Sequence, residues 1–178
     1  MEGSAETDAA VVSNSGEGEA AGKYLTFKLA EEEYGLQILK VREIIGMMDV
    51  TPVPRTPDFI RGVINLRGKV IPVIEIRGKF KLDRIEDTGK TCIIVVQVER
   101  QETEVTMGII VDEVSEVLDI SPDQLEPSPE FGTRIDTDFI LAIGKVNDKV
   151  IMLLDIDQIL SSGELEQIGE AKEKSTSQ

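Results

Sequence analysis

The chain has 178 residues, 40% of them apolar, with two Tyr, five Phe, no Trp, no His and a formal net charge of −15. That suffices for one domain or two very small ones with an aliphatic core. It argues against histidine-based acid/base or nucleophilic catalysis, and against nucleic-acid binding, which needs basic and aromatic surface. No apolar run approaches membrane-spanning length, so direct membrane insertion is not expected.

The first 22 residues, MEGSAETDAAVVSNSGEGEAAG, carry five acids and no base. They read as a disordered acidic tail rather than a signal peptide, and the protein as cytoplasmic. Alternation predicts a strand over Tyr24–Leu29, a turn at AEEE and a return strand over Tyr34–Leu39. In KVREIIG, the spacing of Val41, Ile44 and Ile45 predicts one helical turn ended by Gly46. Three prolines in DVTPVPRTPDF exclude a helix interior or central strand. Residues 60–66 and 69–76 form a predicted hairpin, after which RGKFKL leads into the polar linker DRIEDTGK.

A second series follows, with strands at 91–98 and 105–111 around the turn ERQETE, then DEVSEVLDI, a Pro-rich connection and a hairpin over 139–156. Asp155 or Asp157 is placed to cap a final helix with Ile156, Ile159, Leu160, Leu165 and Ile168 on one face, and residues 166–178 read as a frayed tail.

The two series resemble each other. FIRGVINLRGKVIPVIEI (59–76) and FILAIGKVNDKVIMLLDI (139–156) align without a gap, and Gly35, Ile38, Val41 and Ile44 match Gly108, Val111, Val114 and Val117 at constant spacing. This predicts a duplicated unit of about five short strands, spanning about 24–82 and 90–160. Short strands punctuated by Gly and Pro suggest small closed barrels. Units this small should share one core and fold cooperatively.

Within the repeat, Arg67-Gly68 occupies the turn filled by Asn147-Asp148 in the second copy. Asn-Asp is ordinary turn chemistry, whereas arginine is not. With Gly68 supplying the positive φ, Arg67 is left to fasten the turn to a nearby acid or to anchor a partner. Charge is uneven as well. Residues 40–90 hold eleven Lys or Arg against seven Asp or Glu, and residues 91–162 hold four against fifteen. Opposite halves of this kind suit head-to-tail association.

Candidate chemistry is sparse. The acid pairs Glu31 to Glu33, Asp112 with Glu113 and Asp155 with Asp157 fall in predicted turns or caps, and GKT at 89–91 lacks the upstream glycine of a phosphate loop. Cys92 reads as a buried strand thiol in a reducing compartment. No cofactor, metal or enzymatic activity is expected, and the surfaces are left to bind folded protein.

YGLQILKVREI, TPVPRTPDFIRGVINLRGKVIPVIEIRGKF, GIIVDEVSEVLDI and PEF, in this order and spacing, resemble the CheW family of chemotaxis coupling proteins over about residues 23–165. The resemblance implies an all-β fold with short helices: two SH3-like five-stranded β-barrel subdomains sharing a hydrophobic core, with a C-terminal helix. It implies a scaffold joining the cytoplasmic tips of methyl-accepting chemotaxis proteins to the regulatory domain of the histidine kinase CheA. By motif it implies kinase and receptor coupling through Arg67, Glu43, Val41, Gly62, Asn65 and Gly68, and a receptor groove with Ile38, Cys92, Gly108, Val114 and Val117. Cys92 departs from the aliphatic residue frequent there. The charges suggest that Glu43 and Arg67 pair. A ligand-binding sensory domain using the inter-barrel groove stands as the alternative, as does coupling in a related system for surface motility or gene control.

Overall fold

The computed structural model describes residues 21–80, 82–83, 85–100, 102–127 and 139–159. The acidic tail through residue 20 and the part of the expected final helix beyond residue 159 lie outside them; its start, Ile156–Gln158, is a 3-10 turn capped by Asp155, whose side chain accepts from the Asp157 amide. In the first copy the strands are β1 (Gly22–Leu29), β2 (Glu32–Gln37), β3 (Val41–Gly46), β4 (Ile60–Leu66) and β5 (Lys69–Glu75), followed by one helical turn, α1 (Ile76–Lys79). The second copy supplies β6 (Cys92–Arg100), β7 (Thr103–Val111), β8 (Glu113–Ile120), the two-residue β9 (Leu125–Glu126), β10 (Ile140–Val146) and β11 (Lys149–Leu154).

The strands do not stay with their own copy. One sheet has the order β8-β1-β2-β11-β10-β9 and the other β3-β6-β7-β5-β4. Thus β3 of the first copy pairs with β6 of the second, β8 of the second pairs with β1 of the first, and β11–β2 and β5–β7 are parallel crossings between copies. A contiguous repeat and a sheet are therefore different things here. Strand exchange also redistributes charge. Glu99, Glu102 and Glu104 of the acidic half lie on β6, β7 and their turn, in the same sheet as the basic β3–β5 region. The two sheets are not the opposite poles that the chain halves suggest.

Each sheet closes on itself. Thr51, past the end of edge strand β3, exchanges both backbone hydrogen bonds with Val63 on the opposite edge strand β4, at 2.8 and 2.9 Å. In the other sheet, β8 runs through a short 3-10 turn (Pro122–Gln124) into β9, which pairs with β10. The duplication extends to fine detail: both hairpins carry a register shift, at Ile60/Gly62 and at Ile140/Ala142. Both also return an amide to the preceding phenylalanine carbonyl, Glu75 to Phe59 at 2.7 Å and Asp155 to Phe139 at 2.8 Å.

Strands buried on both faces read as unbroken apolar runs, and CIIVVQV at the start of β6 shows how they are used. Ile93 and Val95 enter the interior of their own barrel with Ile64, Ile71, Val73 and Ile110. Ile94, Val96 and Val98 enter a central core shared with Leu25, Phe27, Leu29 and Leu36 of the other sheet. Aromatic stacking spans that core from Phe27 through Tyr34 and Phe80 to Phe139, with centroids 5.8, 5.5 and 4.9 Å apart. The other barrel interior is built around Tyr24, Ile120, Ile151 and Leu153. Burial, reinforced by the charge of Asp155 and opposed by a Gln37 hydrogen bond, pushes the Tyr24 phenol up to about 12.

Three local expectations are corrected. KVREIIG is not a helical turn but strand β3, because its β-branched residues alternate half-buried and exposed along β6. Over six residues the spacings 41, 44 and 45 cannot separate the two periods; a 3-10 turn lies one step earlier, at Ile38–Lys40. The turn at AEEE narrows to Ala30-Glu31, with Leu29 opposite Glu32. Finally, β6 and β7 extend to residues 100 and 103, leaving only a short turn.

Candidate functional site

The site begins at an irregularity in β3. Residues i and i+2 of a strand ordinarily share a face, but a register shift separates Val41, opposite Val96, from Glu43, opposite Val95. Val41 therefore packs on the central core, while Glu43 shares the barrel-facing side with Val95 and Ile45. The β4–β5 turn reaches across from the opposite edge of the same sheet. Arg67 donates from Nη2 to Glu43 Oε1 and Oε2 at 2.8 and 2.5 Å. The ion pair thus links the two edge strands of the barrel, which is the pairing the charges suggested. Its arginine remains 70% exposed and its glutamate 28%, so Arg67 is both fastened and presented.

The turn corrects the expected division of labour. Arg67 and Gly68 both have positive φ, 52° and 89°, as do Asn147 and Asp148 in the sister turn at 52° and 65°. A two-residue turn of this kind needs the left-handed region at both central positions, so Gly68 does not relieve Arg67 of it. Asn65 braces the turn by accepting from the Gly68 amide at 2.9 Å. An arginine in this conformation costs about 1 kcal/mol more than glycine, and strain of this size gathers at functional positions.

Gly62 is buried. Its φ is +150°, and a Cβ there would lie 2.1 Å from the Thr51 carbonyl oxygen. The absence of a side chain there lets the Thr51–Val63 closure approach β4.

The groove set has a different layout. Val114 pairs with Phe27 and Val117 with Leu25, so both stand on the side of the sheet that meets the central core. Val117 nevertheless is 51% exposed. Ile44, its counterpart in the repeat, pairs with Ile94 of the central core and is 43% exposed. These two aliphatics carry the shared core out to the surface on β3 and β8, and Ile44 was missing from the sequence-derived set. Ile38 and Cys92 are half-buried against the same core, with the Cys92 thiol donating to the Lys90 carbonyl at 3.2 Å. Gly108 is buried in β7, where a Cβ would meet Ile93 Cγ2 at 2.7 Å and Val73 Cγ2 at 3.4 Å. It too acts through packing.

Two ion pairs lock one sheet to the other. Arg77, just past β5, donates from Nε and Nη2 to the two oxygens of Asp112 at 2.8 and 2.6 Å, and Asp112 also accepts from the Ala30 amide at 2.8 Å. Burial raises the Asp112 carboxyl, but the Arg77 hydrogen bonds, the Ala30 amide and the Arg77 charge outweigh it and hold the group below the usual carboxylate range. Past β11, Asp157 bonds Lys40 at 2.7 Å and the Glu99 amide at 2.8 Å. The two locks occupy related places in the repeat with their signs reversed. Neither was visible in the sequence, since each pairs residues remote in the chain.

Among the described residues no group of three potential metal ligands converges, and no helix is long and apolar enough to cross a membrane. A cleft of about 470 Å³ lies against Arg61, Ile85, Glu86 and Asp87. Its arginine is already engaged by Glu75 and Asp87 at 2.6 and 2.8 Å.

The family model for the CheW-like domain matches residues 23–164. A chemotaxis protein CheW from Klebsiella aerogenes is 40% identical over 149 residues, which are 83% of this chain and 87% of that protein. One from Thermotoga maritima is 31% identical over 139 residues, covering 76% and 85%. The crystal structure of the scaffolding protein TtCheW from Thermoanaerobacter tengcongensis superposes with a TM-score of 0.71 at 38% identity, covering 81% of this chain and 95% of that one. Fold, repeat geometry and sequence converge, and the chain belongs to the CheW-like family.

Proposed function

We propose that this chain is a non-enzymatic, cytoplasmic chemotaxis adaptor that couples methyl-accepting chemoreceptors to the histidine kinase CheA. The observation that carries the proposal is the Arg67 turn. A left-handed position that the second copy fills with asparagine is here filled by an arginine, held by Glu43 and largely exposed. Interfaces anchor on such pre-positioned, planar guanidinium groups.

The kinase surface is then the Glu43–Arg67 end of the barrel, with Asn65 and Gly68 shaping the turn and Gly62 and Val41 setting its underlying strands. The receptor surface is the aliphatic line of Val114 and Val117 on β8 with Cys92 and Ile38 nearby, completed by Ile44 on β3. Apolar side chains continuous with a core suit a helical receptor tip, which docks by an apolar stripe.

The test uses the purified full chain with purified CheA and receptor cytoplasmic fragments. The chain should capture CheA and, with receptor present, raise its autophosphorylation. A folded sample that does neither refutes the proposal. Arg67→Glu should lose kinase capture while Val117→Glu loses receptor-dependent activation, and the two defects should be separable.

A further inference from the structure

Among the described residues two arginines take positive φ, Arg67 at 52° and Arg55 at 64°. Arg55 lies in the turn Val53–Thr56, closed by the Thr56 hydroxyl donating to the Val53 carbonyl at 2.8 Å. At the position after a turn proline, positive φ is the province of glycine or asparagine. A guanidinium adds nothing to the turn itself. Ala30, also left-handed, has its amide held by Asp112, and Arg67 has its side chain held by Glu43. Arg55 is exposed and, among the described residues, has neither a hydrogen-bond nor an ion-pair partner.

Its base is nonetheless firm. Val53 is buried against Val63 and Val70 on the β4–β5 hairpin, and Thr51 is bonded both ways to Val63. That hairpin is the one whose tip carries Arg67. Arg42 beside Glu43, and Lys69 beside the Arg67-Gly68 turn, are likewise exposed and without a partner among the described residues, whereas Arg61 and Arg77 are engaged by acids. Exposed cations thus stand on edge strand β3, on the β4–β5 hairpin tip and on the segment packed against that hairpin.

We propose that Arg55 is a second, specificity-determining contact of this surface, receiving carboxylates on the folded protein that Arg67 engages. The inference rests on the coupling function proposed above and names the chemistry of that partner's face. A guanidinium seated on a fixed turn loses little freedom when it forms a bidentate carboxylate pair. An acidic protein patch is favoured over nucleic acid or an anionic membrane because the chain's net charge of −15 repels an extended polyanion at long range. A local carboxylate cluster experiences chiefly the nearby cations, since distant charges are screened beyond about 8 Å at physiological salt.

Asparagine suits left-handed φ, so Arg55→Asn removes the guanidinium while keeping the turn. Binding of the full chain to the purified CheA regulatory domain is measured by titration calorimetry across a salt series, with thermal unfolding as the control for fold. Arg55→Asn should weaken binding about 3- to 10-fold and flatten its salt dependence, with an unfolding temperature equal to or above wild type, and Arg55→Glu should weaken it further. Wild-type binding with an unaffected Arg55→Asn variant overturns the Arg55 assignment alone. Failure of the wild type to bind overturns the coupling function and this inference together. Binding of wild type, but not Arg55→Asn, to vesicles of phosphatidylglycerol and phosphatidylcholine overturns the assignment in favour of a membrane surface.

Discussion

Replacing Asp112 with asparagine tests whether the ion pairs between sheets hold the barrels together. The carboxylate takes three hydrogen bonds, two from Arg77 and one from the Ala30 amide on the opposite sheet. The partners' side chains are only 15% and 20% exposed. An amide retains one acceptor oxygen, and its NH2 group faces a donor. Removing one member of a fully buried pair costs about 3–5 kcal/mol. Partial exposure and the surviving acceptor reduce this to about 2–3 kcal/mol. At about 2–4 °C per kcal/mol for a chain of this size, the melting temperature should fall about 5–10 °C. The sign of the pH dependence follows from the depressed carboxyl. Its stabilisation is complete above the unfolded-state pKa of about 3.9 and is lost as pH falls through the lower folded-state value. Scanning calorimetry should therefore give a wild-type advantage that is level from about pH 5 upward and shrinks below about pH 4. A variant melting within about 2 °C of wild type at neutral pH, or a difference that persists undiminished in acid, would refute the assignment.

Arg67→Asn should separate conformation from contact. Relief of left-handed strain gains about 1 kcal/mol, and loss of an ion pair with an exposed arginine costs at most about that. Stability should hardly move while kinase binding falls at least about 10-fold; parallel loss of both would make Arg67 a structural residue. In a double-mutant cycle, Arg67→Ala and Glu43→Ala should be non-additive in kinase binding, and independent effects would reject the pair as a functional unit. Gly62→Ala forces a Cβ against the Thr51 carbonyl at an unfavourable φ, so it should cost about 3 kcal/mol or more. Hydrogen exchange should show the Thr51 and Val63 amides losing protection first, and wild-type protection there would contradict the proposed closure.

The hairpin at 60–66 and 69–75 was legible because its alternation is long and its turn is two residues, features that local physics fixes. The duplication was legible because constant spacing survives even where side chains diverge. What was hidden depends on partners distant in the chain. No local pattern announces that β3 leaves its own copy to join β6, and without that partner Val41, Ile44 and Ile45 fit a helical turn equally well. The shift between Val41 and Glu43 is a property of the ladder, yet it decides that one residue faces the shared core and the other the barrel. Arg67 could be singled out as an odd turn residue, but not its positive φ, since Gly68 alone seemed able to supply it. Arg55 carried the same signal, an arginine following a turn proline, masked by the surrounding prolines.

Strand exchange bears directly on coupling. Glu43 and Arg67, proposed for the kinase side, lie on β3 and the β4–β5 turn, while Val114 and Val117, proposed for the receptor side, lie on β8, which is hydrogen-bonded to β1. In two independent barrels these surfaces would be linked only by a loose interface. Here β3 is completed by β6 of the other copy and β8 by β1, and both rows press on one close-packed core. Gly108 sits where β7 meets β5, the strand that carries the Arg67 hairpin, with Ile93 and Val73 leaving no room for a Cβ. A close-packed interior transmits a displacement instead of absorbing it. Under the proposed coupling function, a shift of β8 on receptor binding would therefore be accommodated by the strands that position Arg67, a physical route between the two proposed surfaces.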